Sequence, residues 1–224
     1  MRLIIIGCEF VGKTTLAAHI SDWSEAHLGQ RVNWHDEWVL TDEQLSDEVR
    51  QDLKKVSSTT FEAFRHYALT YHLDPGWFGD NDHCLVGFYF SEAVYAPLYH
   101  GYGGKGVHGD LDIMAAVWDR MLMERAPDTV LVTMTASPEV IRQRMTAPDA
   151  HETVLQSEDV ESVIKRFEEL SGRSFIRKRV ALDTTESAPE SIFAEFLKKF
   201  EPHFSQVDRM RLLTRQAMAS MDHT

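Results

Sequence analysis

The sequence predicts an α/β chain, with five parallel strands, helices on both faces of the sheet and a short lid. Three observations carry that expectation. Short β-branched runs alternate with stretches whose apolar residues recur at helical spacing. The first run, Arg2-Leu3-Ile4-Ile5-Ile6, passes directly into a glycine-bounded loop, Gly7-Cys8-Glu9-Phe10-Val11-Gly12-Lys13-Thr14, and then a helix. A length of 224 residues suits one α/β domain with room for a small insertion.

Residues 2–6 form the continuous apolar kind of strand that a parallel sheet buries on both faces. The loop behind them matches G-x-x-x-x-G-K-[ST], the Walker A pattern, in full. Glycines let the backbone curl so that its N–H groups point at phosphate oxygens, and the following helix adds positive potential at its N-terminus. Gly7, Val11, Gly12, Lys13, Thr14 and Thr15 are therefore the expected cofactor loop of a P-loop NTPase fold. Lys13 would reach the β- and γ-phosphates of ATP, and the Thr14 hydroxyl would ligate Mg²⁺. Leu16, Ala17, Ile20, Trp23 and Leu28 mark the first helix.

Val32-Asn33-Trp34-His35 reads as a second strand ending at Asp36-Glu37. Thr41-Asp42-Glu43-Gln44 has the form of a capping box, opening a polar helix to about Val56. Ser58 or Thr59 caps a more apolar helix through Phe61, Phe64, Tyr67, Ala68 and Tyr71, halted by the turn signal Asp74-Pro75-Gly76. His83 to Phe90 is the expected third strand, running into Ser91-Glu92. The glycine-rich segment 100–110 lacks the strand and spacing of a second phosphate loop and reads as a mobile substrate loop. A helix follows over about 111–124, then a fourth strand at Thr129–Thr135. Ser137-Pro138-Glu139 opens another helix with proline in its first turn. Residues 146–157 are polar and loop-like, before a helix at about 158–170, a fifth strand at 179–182 and a helix at 189–200. Residues 206–219 form a basic amphipathic helix. The expected division is a domain over 1–204, with its lid at about 142–157, and a helical tail over 205–224.

Composition narrows the function. No apolar stretch reaches membrane-spanning length, and the first residues enter a strand at once, so neither a signal peptide nor a membrane partner is expected. Two cysteines, Cys8 and Cys84, are too few for a disulfide framework and suit a reducing cytoplasm. A net charge of −12 disfavours a chain that coats nucleic acid, while leaving room for a local basic cleft. His66, His72, His100 and His108 lack metal-ligand spacing on one element, so zinc is not expected. Whether the chain forms a homodimer is open.

Strand ends carry the working edge of such a sheet, which places Asp36, Glu37, Ser91, Glu92 and Asp183 there. A regulatory GTPase would need Asn-Lys-x-Asp, but neither Asn33 nor Asn81 is followed by lysine. A motor ATPase would carry a strand of four apolar residues ending in aspartate, whereas the third strand here runs into Phe90-Ser91-Glu92 and the fourth into Thr135-Ala136. A small-molecule kinase remains, with arginines on its lid. Eight of the 23 basic residues lie between Ser137 and Leu182, and Arg142 and Arg144 are placed to neutralise the transferring phosphoryl group. Between strand two and the glycine-rich loop lie Trp34, Trp38, Phe61, Phe64, Tyr67, Tyr71, Phe88, Phe90, Tyr95, Tyr99 and Tyr102. Most must be core, but one or two stacked on a flat ring would suit a base as substrate.

With its Walker A loop, the segment PDTVLVTMTASPEVIRQRM (127–145) and RFEELSGRSFIRKRVALDTT (166–185), the chain resembles the thymidylate kinase and deoxynucleoside kinase branch of phosphate-loop kinases. The resemblance implies that Arg142 and Arg144 are the lid arginines and that Leu182 to Thr185, with Asp183, abuts the adenine pocket. It implies that Asp36 or Glu37 orients or deprotonates the acceptor, with either one facing inward. It also implies that Arg65 contacts the acceptor, with Glu92 and Tyr95 on the substrate side. One departure stands out: the family's third strand ends in Asp-Arg or Glu-Arg, and this chain has neither. The implied activity is ATP- and Mg²⁺-dependent phosphoryl transfer to a nucleoside or nucleoside monophosphate, a deoxypyrimidine or modified pyrimidine foremost. The alternatives are a kinase for another hydroxyl, including one on a modified base in DNA, and a nucleotide-binding regulatory protein without catalysis.

Overall fold

Four consecutive branched residues, Leu3 to Ile6, are wholly buried and set the centre of the sheet. The computed structural model describes residues 1–39, 44–74 and 82–221. Five strands lie within them: β1 (Arg2–Ile6), β2 (Asn33–His35), β3 (His83–Val86), β4 (Val130–Thr135) and β5 (Lys178–Asp183). All pairings are parallel, in the order β2-β3-β1-β4-β5. Ile5 stands between Val86 and Val132 in register. The order reverses beside β1, so the crevice at the carboxyl edge opens where the loop after β1 lies.

Helices cover both faces. On one, α1 (Lys13–Leu28) packs on β1, β2 and β3 and against α8 (Pro189–Phe200) and α9 (Gln206–Met221). On the other, α4 (Phe88–Tyr95) packs on β1, α5 (Leu111–Arg125) and α7 (Val160–Arg173), and α6 (Pro138–Met145) rests on α7. Two further helices, α2 (Asp47–Leu53) and α3 (Ser58–Tyr71), lie between β2 and β3 in the chain. Among the described residues no helix is long and apolar enough to cross a membrane.

The third strand is shorter than its apolar run suggests. It stops at Val86, and Phe88 to Tyr95 is helix rather than strand. Gly87 makes the turn, at φ 79° with its N–H donating to the Ile5 carbonyl at 2.8 Å. A side chain there would meet Ser91 Oγ at 2.4 Å, so the turn requires glycine. Every residue of α4 is buried, so the run carries no polar stripe to distinguish helix from buried strand. A π-helical turn, Ala96–His100, continues it through Pro97.

The polar helix α2 starts at Asp47 under a Ser46 cap and ends at Leu53, short of Val56. The capping box expected at Thr41-Asp42-Glu43 lies outside the described residues, as do Pro75 and Gly76 of the expected turn. Ser57, one residue before the expected positions, caps α3. Ser137 caps α6 with Pro138 in the first turn, as the sequence predicts.

Candidate active site

The phosphate loop is built by close approach. Gly7 has φ 144°, and a Cβ on it would lie 2.2 Å from the Met134 carbonyl oxygen, so β1 and β4 can meet here only over glycine. Gly12 enters α1 in the left-handed region at φ 91°. Phe10 also adopts a positive φ, 64°, unusual for an aromatic residue, and its ring stacks on His151 with centroids 4.4 Å apart. Lys13 Nζ donates to the Gly7 and Cys8 carbonyls, each at 2.9 Å, and so sits across the mouth of the loop. Thr14 and Thr15 are exposed on the first turn of α1, while Val11 is buried. Burial pushes the Cys8 thiol up to about 11, which keeps it neutral beside Lys13.

The segment after β5 braces this loop. Buried Thr184 donates its N–H to Thr135 O at 2.8 Å and sets its hydroxyl 3.1 Å from the Val11 carbonyl. Asp183 accepts from the Thr185 hydroxyl (2.6 Å) and amide (2.9 Å), which holds its carboxyl below the usual range. Arg144 joins the same knot, donating to the Phe10 carbonyl at 2.9 Å and the Thr184 carbonyl at 2.6 Å. Arg142 points elsewhere. Its Nε donates to Ser157 O at 3.0 Å and its terminal nitrogen to Glu161 at 2.5 Å, and that hydrogen bond raises its pKa.

Across the loop from the Asp183 side lies a second cluster. In the turn after β2, Asp36 accepts from the Trp38 amide at 2.9 Å, the geometry of an Asx turn. Glu37 faces Lys13, Arg65 and Glu9 electrostatically. The Glu37 and Lys13 side chains both reach water, yet protein surrounds them densely enough for burial to raise the carboxyl and lower the ammonium. Together these mark a recess open at its mouth.

Arg65 lies on the inner face of α3, with its Nε 2.8 Å from Glu92 Oε2 and a terminal nitrogen donating to the Glu37 carbonyl. Tyr102 donates its hydroxyl to the other Glu92 oxygen. Burial works against the Arg65 charge, but Glu92 and Glu37 outweigh it and raise its pKa further. Tyr95, also buried, accepts from the Glu9 amide at 3.0 Å. The expected substrate-side residues Arg65, Glu92 and Tyr95 thus share one region with Glu37, while Asp36 caps its own turn.

Sequence reasoning missed Glu9. It sits at a variable position of the motif, so nothing in the pattern marks it. In the fold it reaches the segment expected to be the lid: Thr153 donates its hydroxyl to Glu9 Oε2 at 2.5 Å, and His151 Nε2 is 3.6 Å from the same oxygen. A further tie runs from Tyr99, on the π-turn, to Asp159 at 2.7 Å. The role of Tyr102 was likewise hidden among many aromatics, because its partner Glu92 is set by the π-turn and not by helical spacing.

No family model matches the chain, and no curated protein does. Solved structures do. One is the YorR protein of Bacillus subtilis in complex with phosphorylated GDP, 18% identical with a TM-score of 0.58, over 92% of this chain and 100% of that one. Another is deoxyadenosine kinase from M. mycoides with bound dATP, 16% identical with a TM-score of 0.58, over 90% of this chain and 100% of that one. A gluconokinase from Sinorhizobium meliloti 1021 matches at 15% identity with a TM-score of 0.54, over 90% and 91% of the two chains. At such identities the likeness is one of fold alone, a parallel α/β sheet with a phosphate loop after its first strand.

Proposed function

We propose that the chain transfers the γ-phosphoryl group of ATP, with Mg²⁺, to a nucleoside or nucleoside monophosphate, with deoxypyrimidines and modified pyrimidines foremost. The observation that carries this reading is the placement of Lys13. Its ammonium spans the mouth of a complete phosphate loop, and the charged groups acting on it include Glu37 on the opposite wall of the recess. A phosphate held by Lys13 and the loop amides would therefore present its outer face to a carboxylate, as transfer to a hydroxyl acceptor calls for.

In this reading Gly7, Val11, Gly12, Lys13, Thr14 and Thr15 hold the phosphates, and Asp183 lies beside the adenine. Among the described residues no group of three metal-ligating side chains forms a closed cage. The exposed Thr14 hydroxyl fits Mg²⁺, which takes few protein oxygens and completes its shell with phosphate and water. When bound, the ion would neutralise phosphate charge. Glu37 orients or deprotonates the acceptor. Arg142 and Arg144 neutralise developing charge, for which Arg142 must exchange Glu161 for phosphate. The two free, buried cysteines support a reducing cytoplasm as the compartment.

The test is a transfer assay with radiolabelled ATP and Mg²⁺ against nucleosides, their monophosphates and hydroxymethylated DNA, run on wild type and Lys13→Ala. Labelled nucleoside or nucleotide from wild type alone supports the proposal. ATP binding without any labelled acceptor would instead favour the regulatory reading, and equal transfer by Lys13→Ala would remove the loop from the chemistry.

A further inference from the structure

The recess beyond Lys13 is short of available positive charge. The charged groups that act most strongly on Glu37 are Arg65, Glu9, Asp36 and Lys13, and those that act most strongly on Arg65 are Glu92 and Glu37. That makes four carboxylates, Glu9, Asp36, Glu37 and Glu92, against two cations. Lys13 belongs to the donor phosphates. Arg65 is not available either: it is 6% exposed, paired to Glu92 through Nε and bonded to the Glu37 carbonyl through a terminal nitrogen.

Among the described residues, Arg50, Lys105, Arg142 and Arg144 are engaged elsewhere or exposed. Of the expected lid over about 142–157, Arg142 is engaged by Glu161 and the Ser157 carbonyl, Arg144 by the Phe10 and Thr184 carbonyls, and 146–157 contains no lysine or arginine. Arg50, near the Glu37 turn, lies over the Trp38 ring at 5.7 Å and donates to the Leu45 carbonyl at 2.9 Å. Lys105 on the glycine-rich loop is exposed. The wall beside Arg65 is instead ring-lined, with His100 4.8 Å from Phe61 and 6.3 Å from Tyr102. Burial lowers the His100 pKa, which favours its neutral form there.

We infer that the acceptor is a neutral hydroxyl on a ring-bearing molecule, a nucleoside and not its monophosphate. This deepens the phosphotransferase reading and rests on it. A phosphate monoester brings close to two negative charges into a space already negative, whereas a hydroxyl brings none and finds the Glu37 carboxylate to accept its proton. Arg65 is then a positioning residue. It holds the Glu37 backbone, while Glu92 and Tyr102 hold it.

The test is calorimetric titration of the full chain, saturated with a non-hydrolysable ATP analogue and Mg²⁺, with thymidine against thymidine 5′-monophosphate and deoxyadenosine against its monophosphate. The expected result is a Kd for the nucleoside at least about tenfold below that for its monophosphate. Equal or tighter binding of the monophosphate overturns the inference and leaves the phosphotransferase reading standing. Binding of the ATP analogue with no member of either pair overturns the inference together with the nucleoside reading. Glu92→Gln supplies an independent arm, with retained binding of the ATP analogue reporting its fold. It frees the Arg65 charge, so the preference for nucleoside over monophosphate should fall at least about threefold. An unchanged preference would mean that the Arg65–Glu92 pair does not set acceptor charge.

Discussion

Replacing Arg65 by methionine separates a buried ion pair that organises the recess from a surface contact of no consequence. Arg65 Nε lies 2.8 Å from Glu92, and the two side chains are 7% and 3% exposed. Methionine keeps much of the stem volume but leaves Glu92 buried with the Tyr102 hydroxyl as its remaining side-chain donor. Stranding a buried charge costs about 3–5 kcal/mol. At about 2–4 °C per kcal/mol for a chain of this length, Tm should fall by about 6–20 °C. Arg65→Met/Glu92→Gln removes the stranded charge as well, so it should lose at least about 1 kcal/mol less than the sum of the single variants. Urea unfolding followed by tryptophan fluorescence measures all three, with a constant m-value as the check on two-state behaviour. The exposed pair Arg142–Glu161 is the control and should show no resolvable coupling. Additivity of the two Arg65–Glu92 substitutions within about 0.5 kcal/mol would refute the reasoning, and with it the view that Glu92 holds Arg65 in place.

Gly7→Ala should destabilise by at least about 2 kcal/mol in thermal melts, because the added Cβ meets a backbone carbonyl at 2.2 Å that has no rotamer to yield, and φ is 144°. Glu37→Gln should lower kcat about 10²- to 10⁴-fold with a nucleoside acceptor while raising stability. The sign follows from the direction of the shift. Burial raises the folded carboxyl above its ordinary 4.5, so wild type loses stability as pH rises through the raised value and the variant does not. Denaturation midpoints of variant and wild type should therefore diverge from about pH 4.5 upward, and converging midpoints would show that the protein around Glu37 does not perturb its carboxyl. Arg142→Ala should lower kcat with little change in ATP affinity. Arg144→Ala should weaken ATP binding as well, since Arg144 ties the Phe10 carbonyl of the loop to Thr184. Matching affinities for the two variants would deny Arg144 that bracing role.

What the sequence made legible was local. The phosphate loop is a contiguous pattern, and each of its residues is fixed by the geometry of one turn, so Gly7, Gly12 and Lys13 could be assigned positions from spacing alone. Helices with polar caps and one-sided apolar faces were equally readable: α6 begins at its Ser137 cap, and α8 spans Pro189–Phe200 as expected. The third strand failed for a physical reason. HCLVGFYF is apolar at every second and every third position alike, because α4 is buried all round, so periodicity could not mark where strand gives way to helix. Gly87 was the one usable signal, since an isolated glycine inside a strand pattern often marks a break.

The recess was only half legible, and the illegible half is the one that decides the acceptor. Spacing could propose Asp36 and Glu37 together, but not choose between them. What separates them in the fold is the Trp38 amide, bonded to the Asp36 carboxylate, and Arg65, 28 positions on, which grips the Glu37 carbonyl. Arg65 could be put on a helix from sequence, yet its charge state as a ligand depends on Glu92, a further 27 positions away. Glu92 in turn depends on a π-turn that returns Tyr102 to it. Each link joins residues on different elements, so none leaves a periodic trace. A motif can show that a cation is present at the right end of the sheet; only the fold shows whether that cation is already engaged. Here it is, and the same arginine that suggests a phosphate acceptor by its place in the sequence argues, by its partners, for a hydroxyl.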